Sequence, residues 1–311
     1  MENPRRNTDY IWPAHSIWVK ATEGISFGRY DANGFNNLSV VENPDIIVLG
    51  SSHMEATEVM QNETAAYLLS DKLEGKYSVY NMGISGHNFY KVCQYLPANL
   101  ELYDKTPKVV IIETSTVSIT QKNVDEILSG TVEYTPSHNA GIIGALQRVP
   151  FFRSLYHQAE SGLLNLFLNG SGNSTSDLDV VEDTEDSNNI ELDEYAYDEL
   201  FSYLKRLEDL YGTQMIICYH PTEQLMEDGS IYFERGENLS AFSTYAQQYN
   251  ISFIDMSAHF ENMYYMENHV AHGFCTGKLA TGHLNKYGHA DMADELYDEI
   301  VRLDEVGEIC Q

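Results

Sequence analysis

The chain alternates between short apolar runs and longer amphipathic stretches. Five apolar runs have the length of a buried strand and are enriched in β-branched residues. They cover residues 45–50, 77–82, 108–113, 214–219 and 251–255. We therefore predict a β-strand at each of these positions.

The stretches between these runs have the periodicity of helices. Apolar residues recur at helical spacing around 63–73, 90–103, 192–211, 239–249 and 286–303. Strands that alternate with helices imply a parallel sheet with right-handed crossovers. We therefore predict an α/β fold, a three-layer α/β/α sandwich whose five-stranded parallel sheet has the flavodoxin-like order 2-1-3-4-5.

A long segment separates the third and fourth predicted strands. It holds about a hundred residues, which is too many for a single crossover. Residues 141–168 are rich in apolar side chains, and we expect a helical cap over the carboxyl edge of the sheet; a membrane-contact patch is the alternative. Residues 170–176 read Gly-Ser-Gly-Asn-Ser-Thr-Ser and precede an acidic run to Glu194, which predicts a flexible, solvated loop.

The expected domain organisation follows from these elements. We interpret residues 1–311 as a single domain, with 1–44 as an N-terminal extension and 116–190 as the inserted cap and flexible acidic loop. Trp12 and Trp18 are expected to anchor the extension against the core. No function is assigned to this extension.

The charge of the chain narrows the classes of partner. It has 18 Lys and Arg against 47 Asp and Glu, a formal net charge of −29. Nucleic acid and anionic membrane surfaces would be repelled rather than neutralised by such a protein. Neither is therefore expected as a direct partner.

The cysteines and the apolar runs say little about the cellular compartment. Cys93, Cys218, Cys275 and Cys310 lie far apart, so neither a disulfide framework nor a zinc ribbon is indicated. No signal-peptide pattern or long apolar span is present. The basic start of the chain could still be the trimmed end of a membrane-anchored protein. In that case we expect the cell surface or secretion, and otherwise the cytoplasm.

The first predicted strand ends in a turn that carries two hydroxyl groups. Residues 45–53 read Asp-Ile-Ile-Val-Leu-Gly-Ser-Ser-His, so Ser52 follows the strand closely. Open α/β sheets bind ligands at the carboxyl ends of their strands. His283 lies near the other end of the chain, just before the last predicted helix. A serine and a histidine that meet in space form a nucleophile and its base, whatever their separation in sequence.

These motifs resemble the SGNH (GDSL-type) hydrolase family over residues 45–303. Ser52 matches the nucleophilic serine of the first block, with Ser51 in the place of the usual Asp. Gly86, within Asn-Met-Gly-Ile-Ser-Gly-His-Asn, matches the glycine whose amide contributes to the oxyanion hole. His283, within His-Leu-Asn-x-x-Gly, matches the catalytic histidine. The resemblance implies a serine esterase or O-acyltransferase that acts on acylated carbohydrate, including cell-envelope polymers, or on another small ester.

The third block departs from the family pattern. It normally supplies an asparagine to the oxyanion hole, whereas here the third strand is followed by Thr114, Ser115 and Thr116. A serine or threonine hydroxyl carries one donor that could replace the asparagine amide. We favour Ser115.

The orienting acid also departs from the pattern. It usually stands three residues before the histidine, where this chain has Ala280. Glu113 and Asp255 both close predicted strands and are the candidates to orient His283, with a backbone carbonyl as the other option. Glu113 could equally be a carboxylate at the edge of the core that is bound to backbone donors. A Ser-His dyad without such an acid is chemically adequate, but loss of the acid can cost about 10⁴ in rate.

Three other histidines adjoin the matched blocks or strand ends. His53 follows Ser52 directly, and His220 ends the fourth predicted strand. His220 would face the crevice at the carboxyl edge of the sheet and is a candidate substrate contact, with an ordinary loop start as the alternative. His53 is a candidate of the same kind, as is His87, which follows Gly86.

A zinc site is an alternative from another class. His269, His272 and Cys275, with His283 and His289 nearby, supply nitrogen and sulfur donors. Their spacing matches no tight ligand pattern. No metal or cofactor is therefore predicted.

The alternative to an enzyme is a binding or scaffolding protein that kept the fold and lost turnover. The missing acid at Ala280 and the missing third-block asparagine support it. Ser52 could instead cap the following helix, and Gly86 could simply occupy a turn with positive φ. Analogy of fold does not decide between these functions.

Overall fold

A parallel sheet forms the centre of the structure. The computed structural model of the protein describes residues 12–129 and 192–309. Its strands are β1 (Ile17–Lys20), β2 (Ser26–Arg29), β3 (Ile46–Leu49), β4 (Val79–Asn81), β5 (Val109–Thr114), β6 (Gln214–Tyr219), β7 (Thr222–Leu225), β8 (Ile231–Glu234), β9 (Ser252–Asp255), β10 (His272–Gly273) and β11 (Leu279–Leu284). Its helices are α1 (Ser52–Glu55), α2 (Ala65–Lys72), α3 (Phe89–Leu100), α4 (Gln121–Ser129), α5 (Glu194–Tyr211), α6 (Leu239–Gln248), α7 (Ser257–Asn262) and α8 (Lys286–Glu305).

The five strands of the central sheet lie in the order β4-β3-β5-β6-β9 and are all parallel. Counted along the chain within this sheet, the order is 2-1-3-4-5. Every residue of β3 and β5 is buried, because a parallel sheet is covered on both faces. The predicted fold class and strand order are confirmed.

Helices form the two outer layers. Successive residues of a strand point to opposite faces of the sheet, and Ile46 and Ile47 accordingly belong to different apolar clusters. One cluster is formed with α3, α4, α5 and α6, and the other with α2, α7 and α8. The amphipathic helices therefore bury their apolar stripes against the sheet from both sides.

The residues before β3 pack on this core. Strands β1 and β2 pair as an antiparallel hairpin. Trp18, Tyr30 and Phe35 are buried, and Trp12 Nε1 donates to Glu55 Oε1 at 2.6 Å. The segment that we read as an extension without a function is thus attached to α1, directly behind Ser52.

The described part of the assigned insertion also joins the core. Helix α4 lies within residues 116–190, and Val117, Ile119, Val124 and Ile127 are buried in the same cluster as α3 and α5. The expected cap at 141–168 and the loop at 170–176 lie outside the described residues. Among the described helices, none is both long and apolar enough to cross a membrane.

The β1–β2 hairpin was not predicted, and neither were two other small antiparallel pairs in the described residues. Strands β7 and β8 form a hairpin, and β10 pairs with β11. Strand β11 contains His283 and ends directly before α8, whose N-cap is Asn285. Asn285 Oδ1 accepts the amides of Tyr287 and Gly288, while its Nδ2 donates to the carbonyls of Val270 and Gly273. This residue therefore fixes where the strand ends and the helix begins.

We expect Leu204→Ala to lower the free energy of unfolding by about 2–5 kcal/mol, because it leaves a cavity in the core. Leu204 is fully buried on α5, whereas Leu210 on the same helix is 71% exposed. Leu210→Ala is the matched control and should change stability by no more than about 0.5 kcal/mol. Urea denaturation followed by circular dichroism measures both, and equal losses in the two variants would contradict the assignment of the buried face.

Candidate active site

The turn after β3 is fixed by a buried carboxylate. The amide and hydroxyl of Ser51 donate to Glu113 Oε2 at 2.8 and 3.0 Å. Ser51 Oγ in turn accepts the amide of His53 at 3.2 Å and caps α1. A side chain at Gly50 would collide with the Glu113 carboxylate. Because Ser51 is the capping residue, the hydroxyl of Ser52 is left for another partner.

That partner is His283. Its Nε2 lies 2.9 Å from Ser52 Oγ, although the two residues are 231 positions apart in the chain. Ser52 is the first residue of α1, and His283 is the penultimate residue of β11. The fold thus brings together the two residues that the sequence pointed to as nucleophile and base.

The other ring nitrogen of His283 is hydrogen bonded to a carboxylate that we did not anticipate. His283 Nδ1 contacts Glu23 Oε2, and Glu23 lies in the turn between β1 and β2. We had named Glu113 and Asp255 as the orienting acids. The Glu113 carboxylate instead accepts the amide of Ser51 in the turn after β3, and Asp255 accepts the amide of Ser257 at 2.9 Å. In the structure, the carboxylate that contacts His283 is that of Glu23.

The turn that carries Glu23 fits closely against β11. Gly24 and Gly282 both have positive φ, 74° and 89°. A side chain at Gly282 would collide with the Glu23 carboxylate, and one at Gly24 with the backbone after α1. Ser26 Oγ donates to the carbonyl of Thr57 at 2.6 Å and ties the hairpin to the same loop. These glycines were the only local signal for the contact, and glycines in turns are too common to identify it.

Ser52, His283 and Glu23 lie in one hydrogen-bonded line at the carboxyl edge of a parallel sheet. The edge is formed where β3, β5 and β6 end. This is the α/β/α architecture that the sequence predicted, with the described polar residues gathered at one edge of its sheet.

Known proteins that match this chain were found only among solved structures. No family model and no curated protein matches the sequence. Among solved structures, the acetyl xylan esterase AlAXEase is 13% identical, with a TM-score of 0.42, over 82% of this chain and 99% of that one. The psychrotrophic esterase EstA from Pseudoalteromonas sp. is 15% identical, with a TM-score of 0.41, over 84% and 98%. A GDSL-like lipase from Bacteroides thetaiotaomicron is 12% identical, with a TM-score of 0.38, over 83% and 87%.

The second SGNH-like block is packed against α1. Asn81 Nδ2 donates to the carbonyl of Met54 at 2.6 Å, and Glu55 Oε2 accepts the amide of Ser85 at 2.7 Å. Gly86 follows with φ of 80°, a conformation that favours glycine. Within the described residues, the Gly86 amide donates to no acceptor. It is therefore available to a ligand.

Ser115 lies just beyond the end of β5. The residues beside it form a tight turn, in which Thr114 Oγ1 donates to the carbonyl of Thr116 at 2.7 Å and accepts its amide at 2.9 Å. Ser115 is half-buried, and its hydroxyl has no hydrogen-bond partner in the part of the chain that the structure covers. A role for Ser115 or Gly86 in an oxyanion hole stays a prediction.

His220 lies behind the nucleophile turn rather than at its surface. It is fully buried, with Nε2 3.0 Å from Glu113 Oε1 and Nδ1 3.2 Å from the carbonyl of Pro221. This burial is incompatible with the substrate contact that we expected of it. His53 is half-buried, and its Nδ1 accepts the amide of Leu284 at 3.2 Å. A substrate contact by His53 stays a prediction.

The charges around His283 favour its protonated form. Burial alone would lower the pKa of His283, but the hydrogen bond with Glu23 and the negative charges of Glu58 and Glu23 raise it above its usual value. The pKa of Glu23 is lowered, chiefly by its hydrogen bond with His283. Lys20 Nζ holds Glu58 Oε1 at 3.0 Å. With Nδ1–H donated to Glu23, Nε2 keeps the lone pair that can accept a proton from Ser52.

Three histidines behind this site lie near enough to one another to surround a metal ion. Ligand atoms of His53, His220 and His272 are within 4.8 Å of one another. A metal requires one nitrogen lone pair from each. His53 uses its lone pair on a backbone amide, and both nitrogens of His220 face oxygen acceptors, so only His272 has a nitrogen without a partner. In this arrangement the cluster does not offer three ligands.

The zinc ligands considered from the sequence lie in different surroundings. His269 stacks on Tyr287, with ring centroids 3.9 Å apart, and Cys275 is exposed. His272 is buried beside the carboxylate of Glu223. Within the described residues, His269, His272 and Cys275 do not form a group that could share one ion.

We expect Glu23→Gln to lower the pKa of His283, because the amide removes a negative charge and a strong acceptor from Nδ1. NMR titration of the His283 ring resonances measures this value in the folded protein. Asp255→Asn removes the carboxylate that does not contact His283 and should leave the value unchanged. A His283 pKa that is the same in wild type and Glu23→Gln would refute the assignment of Glu23.

Proposed function

We propose that the protein is a serine ester hydrolase in which Ser52 is the nucleophile, His283 the general base and Glu23 the orienting acid. The observation that carries this proposal is the hydrogen-bonded line itself. Ser52 Oγ lies 2.9 Å from His283 Nε2, and Glu23 binds the opposite nitrogen of the same ring. Nucleophile, base and orienting group in this geometry are the mark of nucleophilic catalysis.

The first half of the reaction forms an acyl-enzyme. His283 Nε2 takes the proton of Ser52 as Ser52 Oγ bonds to the ester carbonyl carbon, and the carbonyl oxygen becomes an oxyanion. The amides of Ser52 and Gly86 are proposed to bind that oxyanion, each contributing on the order of 3 kcal/mol to the transition state. The tetrahedral species collapses, the C–O bond to the alcohol breaks, and His283 returns its proton to the departing oxygen.

The second half of the reaction decides between hydrolysis and transfer. Water, or the hydroxyl of an acceptor, gives a proton to His283 as its oxygen attacks the acyl carbon. The bond to Ser52 then breaks, and His283 returns that proton to Ser52. An acid is released in hydrolysis, and a new ester is released in transfer. We propose hydrolysis as the principal activity and O-acyl transfer as the variant that uses a sugar hydroxyl.

Glu23 bears directly on the alternative of an inactive scaffold. That alternative rested partly on Ala280, which stands where the family has its acid. Ala280 is fully buried with φ of 55°, so this position is shaped for a small side chain. The acid is supplied instead from the β1–β2 turn. An orienting carboxylate in place supports turnover, since its loss typically costs about 10⁴ in rate.

The proposed substrate is an acyl ester of a carbohydrate, including cell-envelope polymers. This class follows from the resemblance of Ser52, Gly86 and His283 to SGNH motifs. The carboxylates of Glu23 and Glu58 beside His283, and the net charge of −29, disfavour anionic ligands such as nucleic acid. An uncharged short acyl group suits these surroundings. A polymer of this kind would place the protein at the cell surface.

We expect Ser52→Ala to abolish labelling by a fluorophosphonate and to lower hydrolysis of p-nitrophenyl acetate by at least about 10⁴-fold, because the nucleophile is lost. In-gel fluorescence and a spectrophotometric assay measure the two effects. Ser70→Ala, a serine on α2 away from the site, is the matched control and should behave as wild type. Labelling that persists in Ser52→Ala would remove Ser52 as the nucleophile.

One further assay distinguishes acyl transfer and simple binding from hydrolysis. An oligosaccharide acceptor is added to the acyl donor, and acylated sugar is measured by mass spectrometry. Transfer without hydrolysis would assign the acyltransferase variant. A wild-type protein that is neither labelled nor active in either assay would instead favour the binding protein.

A further inference from the structure

Two neighbouring hydrogen bonds join residues 52 and 53 to residues 283 and 284. Ser52 Oγ lies 2.9 Å from His283 Nε2, and the amide of the next residue, Leu284, donates to His53 Nδ1 at 3.2 Å. Both contacts span 231 positions in the chain. A single contact would leave the two segments free to pivot, whereas two adjacent ones fix both their distance and their relative orientation.

We propose that His53 is a positioning residue, which holds the end of β11 so that His283 stays in line with Ser52. This inference rests on the proposed esterase function. His53 does not touch the reacting atoms in this scheme. It acts through Leu284, whose position in turn sets that of His283.

His53 is suited to accept rather than to donate. Burial, followed by the charges of His220, His283 and His272, lowers its pKa well below the usual value. The ring is therefore neutral near pH 7, with its proton on Nε2 and its lone pair on Nδ1. Leu284 is only 1% exposed, so its amide depends on a protein acceptor rather than on water.

The ring of His53 is also held in place from behind. It packs edge-on against His220 with centroids 4.7 Å apart, and against His272 at 5.7 Å. His220 is in turn bonded to Glu113, which holds Ser51. His53, which accepts the Leu284 amide, and the turn that carries Ser52 thus both contact the buried pair of His220 and Glu113.

Substitutions at His53 test the role of the acceptor. His53→Leu keeps bulk but has no acceptor, whereas His53→Asn places its amide oxygen close to the position of Nδ1. With p-nitrophenyl acetate, we expect His53→Leu to lower kcat by about 10²-fold, the cost of roughly 1 Å of misplacement, with little change in KM. His53→Asn should recover most of this loss. His259→Leu, at a half-buried histidine on α7, is the control and should match wild type.

A spectroscopic measurement tests the contact without relying on turnover. Long-range ¹H–¹⁵N spectra of the folded wild-type protein report which ring nitrogen of His53 carries the proton. We expect an unprotonated Nδ1 and a protonated Nε2. A protonated Nδ1 would overturn the proposal whatever the kinetics, and this holds even where His53→Leu fails to fold.

The outcomes separate this inference from the proposed function. If Ser52-dependent activity is present but both His53 variants fold and are equally impaired, or neither is impaired, the positioning role is wrong. If wild type has no Ser52-dependent activity, the esterase proposal fails and the positioning role fails with it, while the tautomer of His53 still reports whether the Leu284 contact exists. Loss in His53→Leu, recovery in His53→Asn and the expected tautomer together support the role.

Discussion

The carboxylate of Glu113 joins the ends of three neighbouring strands. It lies on β5, accepts the amide and hydroxyl of Ser51 after β3, and pairs with His220 after β6. Glu113 is only 2% exposed, and a buried carboxylate that lacks partners costs several kcal/mol. These bonds are therefore expected to form as a set once the three strands pair. Since Ser52 follows Ser51, the parallel pairing of the sheet determines where Ser52, the proposed nucleophile, lies. Glu113 therefore holds the turn before Ser52 and the ring of His220, whereas the partners of His283 are Glu23 and Ser52.

The sequence was a good guide wherever the signal was local or matched a motif. Buried parallel strands read as continuous apolar runs, which gave the sheet and its order, and motif resemblance identified Ser52 and His283. The contact of Glu23 with His283 was not predicted, because the two residues lie 260 positions apart in the chain. The strand before Glu23 was also hard to recognise. In β1, Trp18 points inward while Ile17 and Val19 are exposed, so a rule that places aliphatic residues inside misreads its orientation. Nothing local could therefore tell which carboxylate would reach the histidine.

The pairs Glu113–His220 and Glu23–His283 have the same chemistry and different surroundings. The side chains of His220 and Glu113 are 0% and 1% exposed, whereas those of His283 and Glu23 are 25% and 37% exposed. A substrate can reach only the second pair, so only that pair can exchange protons with it. The first pair instead provides fixed charge and hydrogen bonds beneath the nucleophile turn. Accessibility, which the sequence does not reveal, thus separates the structural pair from the proposed catalytic one.

Burial and nearby carboxylates shift the pKa values of the clustered histidines in opposite directions. Burial lowers the pKa values of His53, His272 and His289, the last to about 3, while Glu23 and Glu58 raise that of His283 above 6.5. These three histidines stabilise the fold fully above pH 6.5 and lose that contribution as the pH falls through their lowered pKa values. The contribution of His283 to stability depends on pH in the opposite way. It is complete below pH 6.5 and is lost as the pH rises through the raised pKa of His283. At any pH where His283 has lost its proton, His53, His272 and His289 are therefore already neutral, so none of these three competes with His283 for a proton.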